Sequence, residues 1–359
     1  MRAAILRNVG DTKLDVVDDV SIGQVGPNQV KIAIKSAGLC HSDLSAMNGT
    51  IMQPVPAVLG HEGCGDVIEI GQNVTNVSVG DKVIVAWNAS CGNCNACIRG
   101  EYHLCLQFLI SQGYVPHFKE GDTDIFGFAG NGTFSEEMII PDKAAIKIPN
   151  EISYEVGALI GCGVMTGVGA ALNTAKVVPG SSVAVFGCGG VGISAIQGAK
   201  IAGAAEIIAI DTQDSKLEDA KRFGATHSTK PDGLKAVLDS VTQGEGTDYA
   251  FECIGLPATI RSAYDSVRRG GTAVVVGAGR MDQMVEFNAF ELFFQEKKFI
   301  GSYYGSANVR RDFLRLIRLY QAKRLDLDSM ISAKMDISEI NTALDNLRSG
   351  NVIRQVFTF

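Results

Sequence analysis

Cys91, Cys94, Cys97 and Cys105 place four thiols within fifteen residues, in the pattern C-x2-C-x2-C-x7-C. Four thiolates this close can enclose one zinc ion tetrahedrally, and a closed all-cysteine shell suits a structural metal rather than a reacting one. A second set stands further apart: Cys40, His61 and Cys162. Two thiolates and one imidazole leave the fourth tetrahedral position open, and an ion with an open position is a Lewis acid that lowers the pKa of a bound hydroxyl. Each of the three reads as a loop residue at a turn or between segments. Cys64, Cys188 and Cys253 lie beside glycines or inside apolar runs and read as small core residues. His103, His117 and His227 lack supporting context and read as surface residues. Nine cysteines without an export signal fit reduced thiols in the cytoplasm, with disulfides in the tetrad as the bland alternative.

A separate chemistry is written at Gly187-Cys-Gly189-Gly190-Val191-Gly192. Residues 183–186 form a strand candidate that runs into this turn, a helix-like ISAIQGAKIAGA follows, and a second strand, IIAI, ends at Asp211. Strand, G-x-G-x-x-G, helix, strand and acidic residue is the order a dinucleotide fold requires. Gly187 makes the tight turn, Gly189 lets backbone approach the pyrophosphate, and Gly192 allows the helix to pack on the strand. The helix N-terminus offers free N–H groups to phosphate. Asp211 would accept hydrogen bonds from the adenosine ribose and repel a 2′-phosphate, which favours NAD over NADP.

These residues need two kinds of scaffold. Residues 1 to about 160 read as short strands such as VKIAI (30–34), 67–70 and 83–85, broken by Gly, Pro and Asn. A helical, small-residue-rich stretch covers 157–173; then SSVAVFG, EIIAID, YAFECIG and TAVVVG alternate with helical segments, which predicts a parallel sheet. An amphipathic helix follows residue 305, with Arg310, Arg311, Arg315 and Arg318 on its solvated face, then a helix over 337–348. The final IRQVFTF has no place in the parallel sheet and is expected to return to the first domain. The fold class is therefore α/β: a doubly wound Rossmann sheet plus a mainly antiparallel β domain. A net charge of −7 argues against a nucleic-acid partner, and residues 91–105 carry Arg99 as their one formal cation. No segment reads as a signal peptide or a membrane span.

The ordered motifs GLCHSD (38–43), GHEGCG (60–65), the cysteine tetrad, LIGCGVMTG (159–167), VFGCGGVG (185–192) and the closing LRSGNVIRQVFTF make the whole chain resemble the zinc-dependent alcohol dehydrogenases of the medium-chain dehydrogenase/reductase superfamily. The resemblance implies a GroES-like catalytic domain over 1–163 and 305–359 and an NAD-binding domain over 164–304. It implies two zinc ions, one catalytic on Cys40, His61 and Cys162, one structural on the tetrad. Asp43 would orient His61, as zinc-bound histidines require, and Glu62 would tune or exchange at the metal. Ser42 would take the alcohol proton into a relay; Ser45 occupies the position where many relatives carry the histidine that ends it. His41 and Arg354 would contact the pyrophosphate with the glycine turn, Lys216 the ribose, and Thr166 the nicotinamide. Ile51, Trp87, Phe128, Ala129 and Tyr303 would line an apolar channel suited to medium-sized primary, allylic or benzylic alcohols.

Three rivals share these motifs. A thiol-adduct formaldehyde dehydrogenase would want a cation in the outer pocket, where residues 105–134 offer Lys119 and no arginine. An enzyme that keeps NAD tightly bound would use another electron acceptor. A crystallin-like NAD-binding structural protein would be expected to lack zinc ligands, yet all three are present. The resemblance also implies a homo-oligomer, dimer before tetramer, paired through the last strands of the parallel sheet, which would otherwise be an exposed edge.

Overall fold

The alternating run at 30–34 is part of a longer element: Gln29–Leu39 is a strand of eleven residues in the computed structural model, which describes residues 1–359. Val30, Ile32 and Ile34 point into the core, while from Ala37 onward the strand is buried throughout. Glu62–Ile70, Glu137–Pro141 and Arg354–Thr358 all pair with it antiparallel. A seven-stranded sheet grows from this centre, reaching Lys82–Val85 and Ala145–Lys147 on one side and Ile331–Asp336 on the other. A six-stranded sheet containing Ala3–Leu6, Ala57–Val58 and Thr123–Gly127 accompanies it. Phe118, Phe134 and Phe357 are fully enclosed in this core, the last two edge to face at 5.3 Å. The final strand thus pairs with the central strand of the first unit.

Two compact units result: Met1–Cys162 with Asn308–Ala322 and Leu327–Phe359, and Gly163–Ala307 with Lys323–Asp326. The second is built on a six-stranded parallel sheet in the order His227–Thr229, Glu206–Ile210, Ser182–Phe186, Thr247–Glu252, Val267–Val275, Lys298–Gly301. Strand order reverses between Ser182–Phe186 and Thr247–Glu252. Open α/β sheets bind ligands at such a switch point, beyond the carboxyl ends of the strands.

The helical stretch Tyr154–Ala175 departs from expectation: it is long and apolar enough to cross a membrane, although the sequence reading found no such segment. Its five glycines dilute the apolar pattern, and 83% of the tested window is buried within the protein, which makes it a core helix. Those glycines permit close packing. A Cβ on Gly157 would lie 2.5 Å from Cys64 Sγ, and one on Gly167 would lie 2.5 Å from Ser194 Cβ. Two π-type segments, Ile160–Val164 and Ala170–Ala175, interrupt the α-helical register.

Candidate active site

Cys40 ends the central strand and is the N-cap of the short helix His41–Met47, so it is positioned by a helix start rather than by an irregular loop. Asp43, three residues on, reaches back: its Oδ2 accepts the Cys40 N–H and its Oδ1 the Gly60 N–H, both at 3.0 Å. Oδ1 also lies 3.5 Å from Nδ1 of His61, the residue immediately before Glu62–Ile70. One buried carboxylate therefore ties the helix start, the turn at Gly60 and the imidazole together. Cys162 departs from the loop expected for it. It lies within the helical segment Ile160–Val164, where the π-type register widens a buried helix. Such π-bulges occur often at functional sites.

Cys40, His61, Glu62 and Cys162 are all buried, and their donor atoms lie within 4.8 Å of one another. Nδ1 of His61 faces Asp43 at 3.5 Å, and Nε2 is buried with no hydrogen-bond partner. A buried imidazole left so is costly in a closed protein interior, and the chemistry of this donor set, two thiols and an imidazole, fits zinc. With Nδ1 facing Asp43, Nε2 is the nitrogen left for a metal. A hydrogen bond from Cys162 holds the Cys40 thiol well below its usual range, against burial and with help from His61. Phe128 meets the His61 ring edge to face at 5.1 Å. Ser42 Oγ is 3.6 Å from Cys40 Sγ. Glu62 forms a buried ion pair with Arg354, and Gly38 makes room for it, since a Cβ there would overlap the Glu62 carboxylate. Of the residues expected at the pyrophosphate, Arg354 is thus enclosed beside the metal donors, while His41 is exposed. Ser45 is half-buried on the same helix, and its carbonyl accepts the Ile51 N–H at 2.9 Å.

The cysteine tetrad closes on itself. Sγ separations are 3.5 Å for Cys94–Cys97, 3.7 Å for Cys94–Cys105 and 3.9 Å for Cys91–Cys97. Four sulfurs placed tetrahedrally at ordinary zinc–sulfur bond lengths stand about 3.8 Å apart. The Cys91 thiol is drawn down to about 6: burial opposes this, and the N–H groups of Asn93 and Cys94 outweigh it. All nine cysteines are free thiols.

In the second unit, Ser182–Phe186 runs into Gly187, whose φ of 87° is open to glycine and few other residues. A Cβ on Gly192 would overlap the Gly187 carbonyl, whereas a Cβ on Gly189 would meet no protein atom within 4 Å. The first glycine lets helix Gly190–Ala202 pack; the second keeps open a cradle that the protein itself leaves unfilled, as a bound pyrophosphate requires. Asp211 accepts N–H bonds from Cys188 at 2.8 Å and Gln213 at 3.1 Å, which fixes its carboxylate beside the turn. Val191 and Lys216 are half-buried there, and Thr166 is half-buried on Met165–Gly169. The donor and cradle geometry fits a dinucleotide.

Of the five expected channel residues, Ile51, Phe128 and Ala129 share the core cluster of the first unit. Phe128 is at the metal donors; Ala129 follows it with φ 52°, and its N–H is held by Gln53 at 3.4 Å. Trp87 is half-buried after Lys82–Val85. Tyr303 belongs to the second unit and is 42% exposed. Ile51 lines a recess of about 320 Å3 with Val9, Met52, Gln53, Pro54 and Tyr114. Sequence reasoning missed the rest of this lining, which also includes Gly49, because it comes from three separate segments; the adjacency of residues 52–54 to Ile51 was the available signal.

Comparisons with known proteins agree with this geometry. Residues 26–150 match the alcohol dehydrogenase GroES-like domain family and residues 190–340 the zinc-binding dehydrogenase family. An S-(hydroxymethyl)glutathione dehydrogenase of Synechocystis sp. is 36% identical, the alignment covering 100% of this chain and 99% of that protein. An Escherichia coli protein of the same name is 36% identical over 96% of each chain. Among solved structures, benzyl alcohol dehydrogenase from Acinetobacter calcoaceticus superposes with a TM-score of 0.92 at 30% identity, covering 100% of this chain and 99% of that one. A Burkholderia ambifaria alcohol dehydrogenase zinc-binding domain protein gives 0.93 at 31%, covering 100% and 98%.

Proposed function

The chain belongs to the zinc-dependent alcohol dehydrogenases of the medium-chain dehydrogenase/reductase superfamily, and on that premise we propose that it oxidises medium-sized primary, allylic or benzylic alcohols with NAD. Cys40, His61 and Cys162 would hold the catalytic zinc and the tetrad the structural one; Gly187, Gly189, Gly190, Val191, Gly192, Asp211 and Lys216 would hold NAD. Bound zinc supplies the Lewis acid that acidifies the alcohol, and bound NAD accepts the hydride. The chain's own residues do the rest. Ser42 Oγ, next to the Cys40 thiol, takes the alcohol proton and passes it outward. Asp43 fixes the His61 ring and its tautomer. Arg354 pairs with the Glu62 carboxylate beside the metal donors and holds it in place there. Thr166 would back the nicotinamide of the bound dinucleotide.

One observation carries the substrate class: the recess beside Ile51 is walled by Val9, Gly49, Met52, Pro54 and the Tyr114 ring, and the Gln53 amide is already engaged with the Pro54 carbonyl at 3.0 Å and the Ala129 N–H. An aryl or alkyl substituent fits such a wall; the carboxylates of glutathione do not. The names of the curated relatives favour the glutathione adduct as the second reading. Lys119, the cation the sequence offered for it, is 3.1 Å from Asp124 and faces solvent. Assays with NAD and benzyl, allyl and hexyl alcohols beside S-(hydroxymethyl)glutathione decide: the proposal expects the highest kcat/KM with an apolar alcohol, and a higher value with the adduct overturns it.

We also propose a homodimer paired along Lys298–Gly301, the edge of the parallel sheet. Phe290, Phe293 and Phe294 on Ala289–Gln295, with Phe299 on the edge strand, are all exposed, and clustered exposed aromatics beside an unpaired edge suit a protein interface. A stable monomer in light scattering at working concentration would refute it. Nine free thiols support a cytoplasmic place of work.

A further inference from the structure

Glu252 ends the strand Thr247–Glu252 at the point where strand order reverses, opposite Phe186 on one neighbour and Val275 on the other. It is fully buried and belongs to neither zinc site nor the glycine turn. All of its polar contacts gather on one oxygen: Oε1 accepts the Ile254 N–H at 3.0 Å, the Gly255 N–H at 2.8 Å and the Thr259 hydroxyl at 2.7 Å. Its carbonyl accepts the Val276 and Gly277 N–H groups at 2.8 and 2.9 Å. Oε2 is buried without a partner. Burial raises the carboxyl's pKa, and the N–H and hydroxyl donors only partly oppose this.

The turn at 253–256 that this side chain grips is pressed against the dinucleotide cradle. A Cβ on Gly187 would lie 2.6 Å from Ile254 Cγ1, and one on Gly255 would lie 2.6 Å from the Ala278 backbone. The Cys253 N–H bonds to the Phe186 carbonyl at 2.9 Å, and Ile254 still exposes 43% of its surface. Glu252 is therefore the common anchor of two loops that leave the carboxyl edge of the sheet beside Gly187. An apolar side chain half exposed at a switch point is a wall waiting for a ligand.

We propose that Glu252 is a positioning residue for the dinucleotide: by holding the 253–256 turn against Gly187, it fixes Ile254 as the second wall of the cofactor crevice. This rests on the reading that the chain binds NAD. The side chain touches no cofactor atom in this account; it acts through Ile254 and Gly255.

The test uses zinc-loaded enzyme, fluorescence titration with NADH, separate KM values for NAD and alcohol, and thermal melts. Glu252→Ala leaves two backbone N–H groups unpaired and is expected to weaken NADH binding about tenfold or more, with the alcohol KM at saturating NAD unchanged. Glu252→Gln keeps an oxygen for the same three donors and is expected to stay within about threefold of the native protein. Thr259→Val, which removes one donor and leaves the turn otherwise intact, is expected to weaken NADH binding by a smaller factor, and serves should Glu252→Ala not fold. NADH binding within twofold of native for Glu252→Ala, equal losses in the Ala and Gln variants, or no change for Thr259→Val would each overturn the inference. A native protein that fails to bind NADH would instead refute the cofactor reading on which it stands.

Discussion

Replacing Asp43 by asparagine isolates what holds the catalytic ligands in place. The carboxylate accepts two buried N–H groups, from Cys40 and Gly60, and faces the His61 ring. An asparagine of the same shape has one oxygen, so its amide NH2 must confront one of those two donors. A buried N–H left unpaired costs about 1–3 kcal/mol, and the remaining bond loses its charge assistance, so destabilisation of about 2–4 kcal/mol is expected. The imidazole also loses the acceptor that fixes its tautomer, a change that ordinarily lowers metal affinity about 10–100-fold. The tetrad shares no residue with this network and should keep its zinc. The assay is stepwise chelator titration with zinc analysis and a thermal melt. Asp43→Asn should surrender one zinc at much lower chelator concentration and lose activity in step with it. Native-like retention of both zincs would refute the reasoning, as would equal loss from both sites.

Four other outcomes follow from the same geometry. Ser42→Ala should lower kcat about 100-fold with zinc retained, the usual scale for a lost proton-transfer group, and Ser45→Ala should do far less; equal losses would dismiss Ser42 from the relay. Asp211→Asn removes the charge opposing a 2′-phosphate, so the NADP/NAD ratio of kcat/KM should rise about tenfold or more, and an unchanged ratio would refute that role. Lys176 sits in the left-handed region at φ 52° after Ala170–Ala175 and is exposed, so Lys176→Gly should raise stability by about 1 kcal/mol in denaturant unfolding, and a loss would contradict it. Asp248 is held below the usual carboxylate range: burial opposes this, and the Ser182 N–H at 2.8 Å and Arg268 at 2.7 Å outweigh it. Its contribution, about 1–2 kcal/mol, is present above the unfolded pKa of about 4 and fades as pH falls through the lower folded value. Melts of Asp248→Asn and the native protein should therefore differ near neutrality and converge in strong acid; a constant difference would count against it.

What the sequence disclosed depended on how local each feature is. The tetrad, the glycine turn and Asp211 are set by spacing within one or two elements, and the structure brings each group together where its spacing implied. Cys162 falls inside the stretch read as helical over 157–173, but its π-type register was not legible, because such a register leaves no mark in a small, apolar run such as IGCGV. The final strand was expected outside the parallel sheet because IRQVFTF had no place there, and it pairs antiparallel with Gln29–Leu39. The Ile51 recess and the Glu252 anchor were not legible. Val9 and Tyr114 meet Ile51 only after two sheets have formed, and Glu252 reads as one more residue in a buried strand until its turn is seen against Gly187.

Zinc-dependent oxidation of an apolar alcohol is the central chemistry of this site. The most direct measurement is NADH formation from benzyl alcohol and from S-(hydroxymethyl)glutathione, on one preparation whose zinc content is determined alongside. Two zincs per chain with faster kcat/KM for benzyl alcohol is the predicted result. Turnover of the glutathione adduct alone, or none at all by fully zinc-loaded protein that binds NADH, would contradict it.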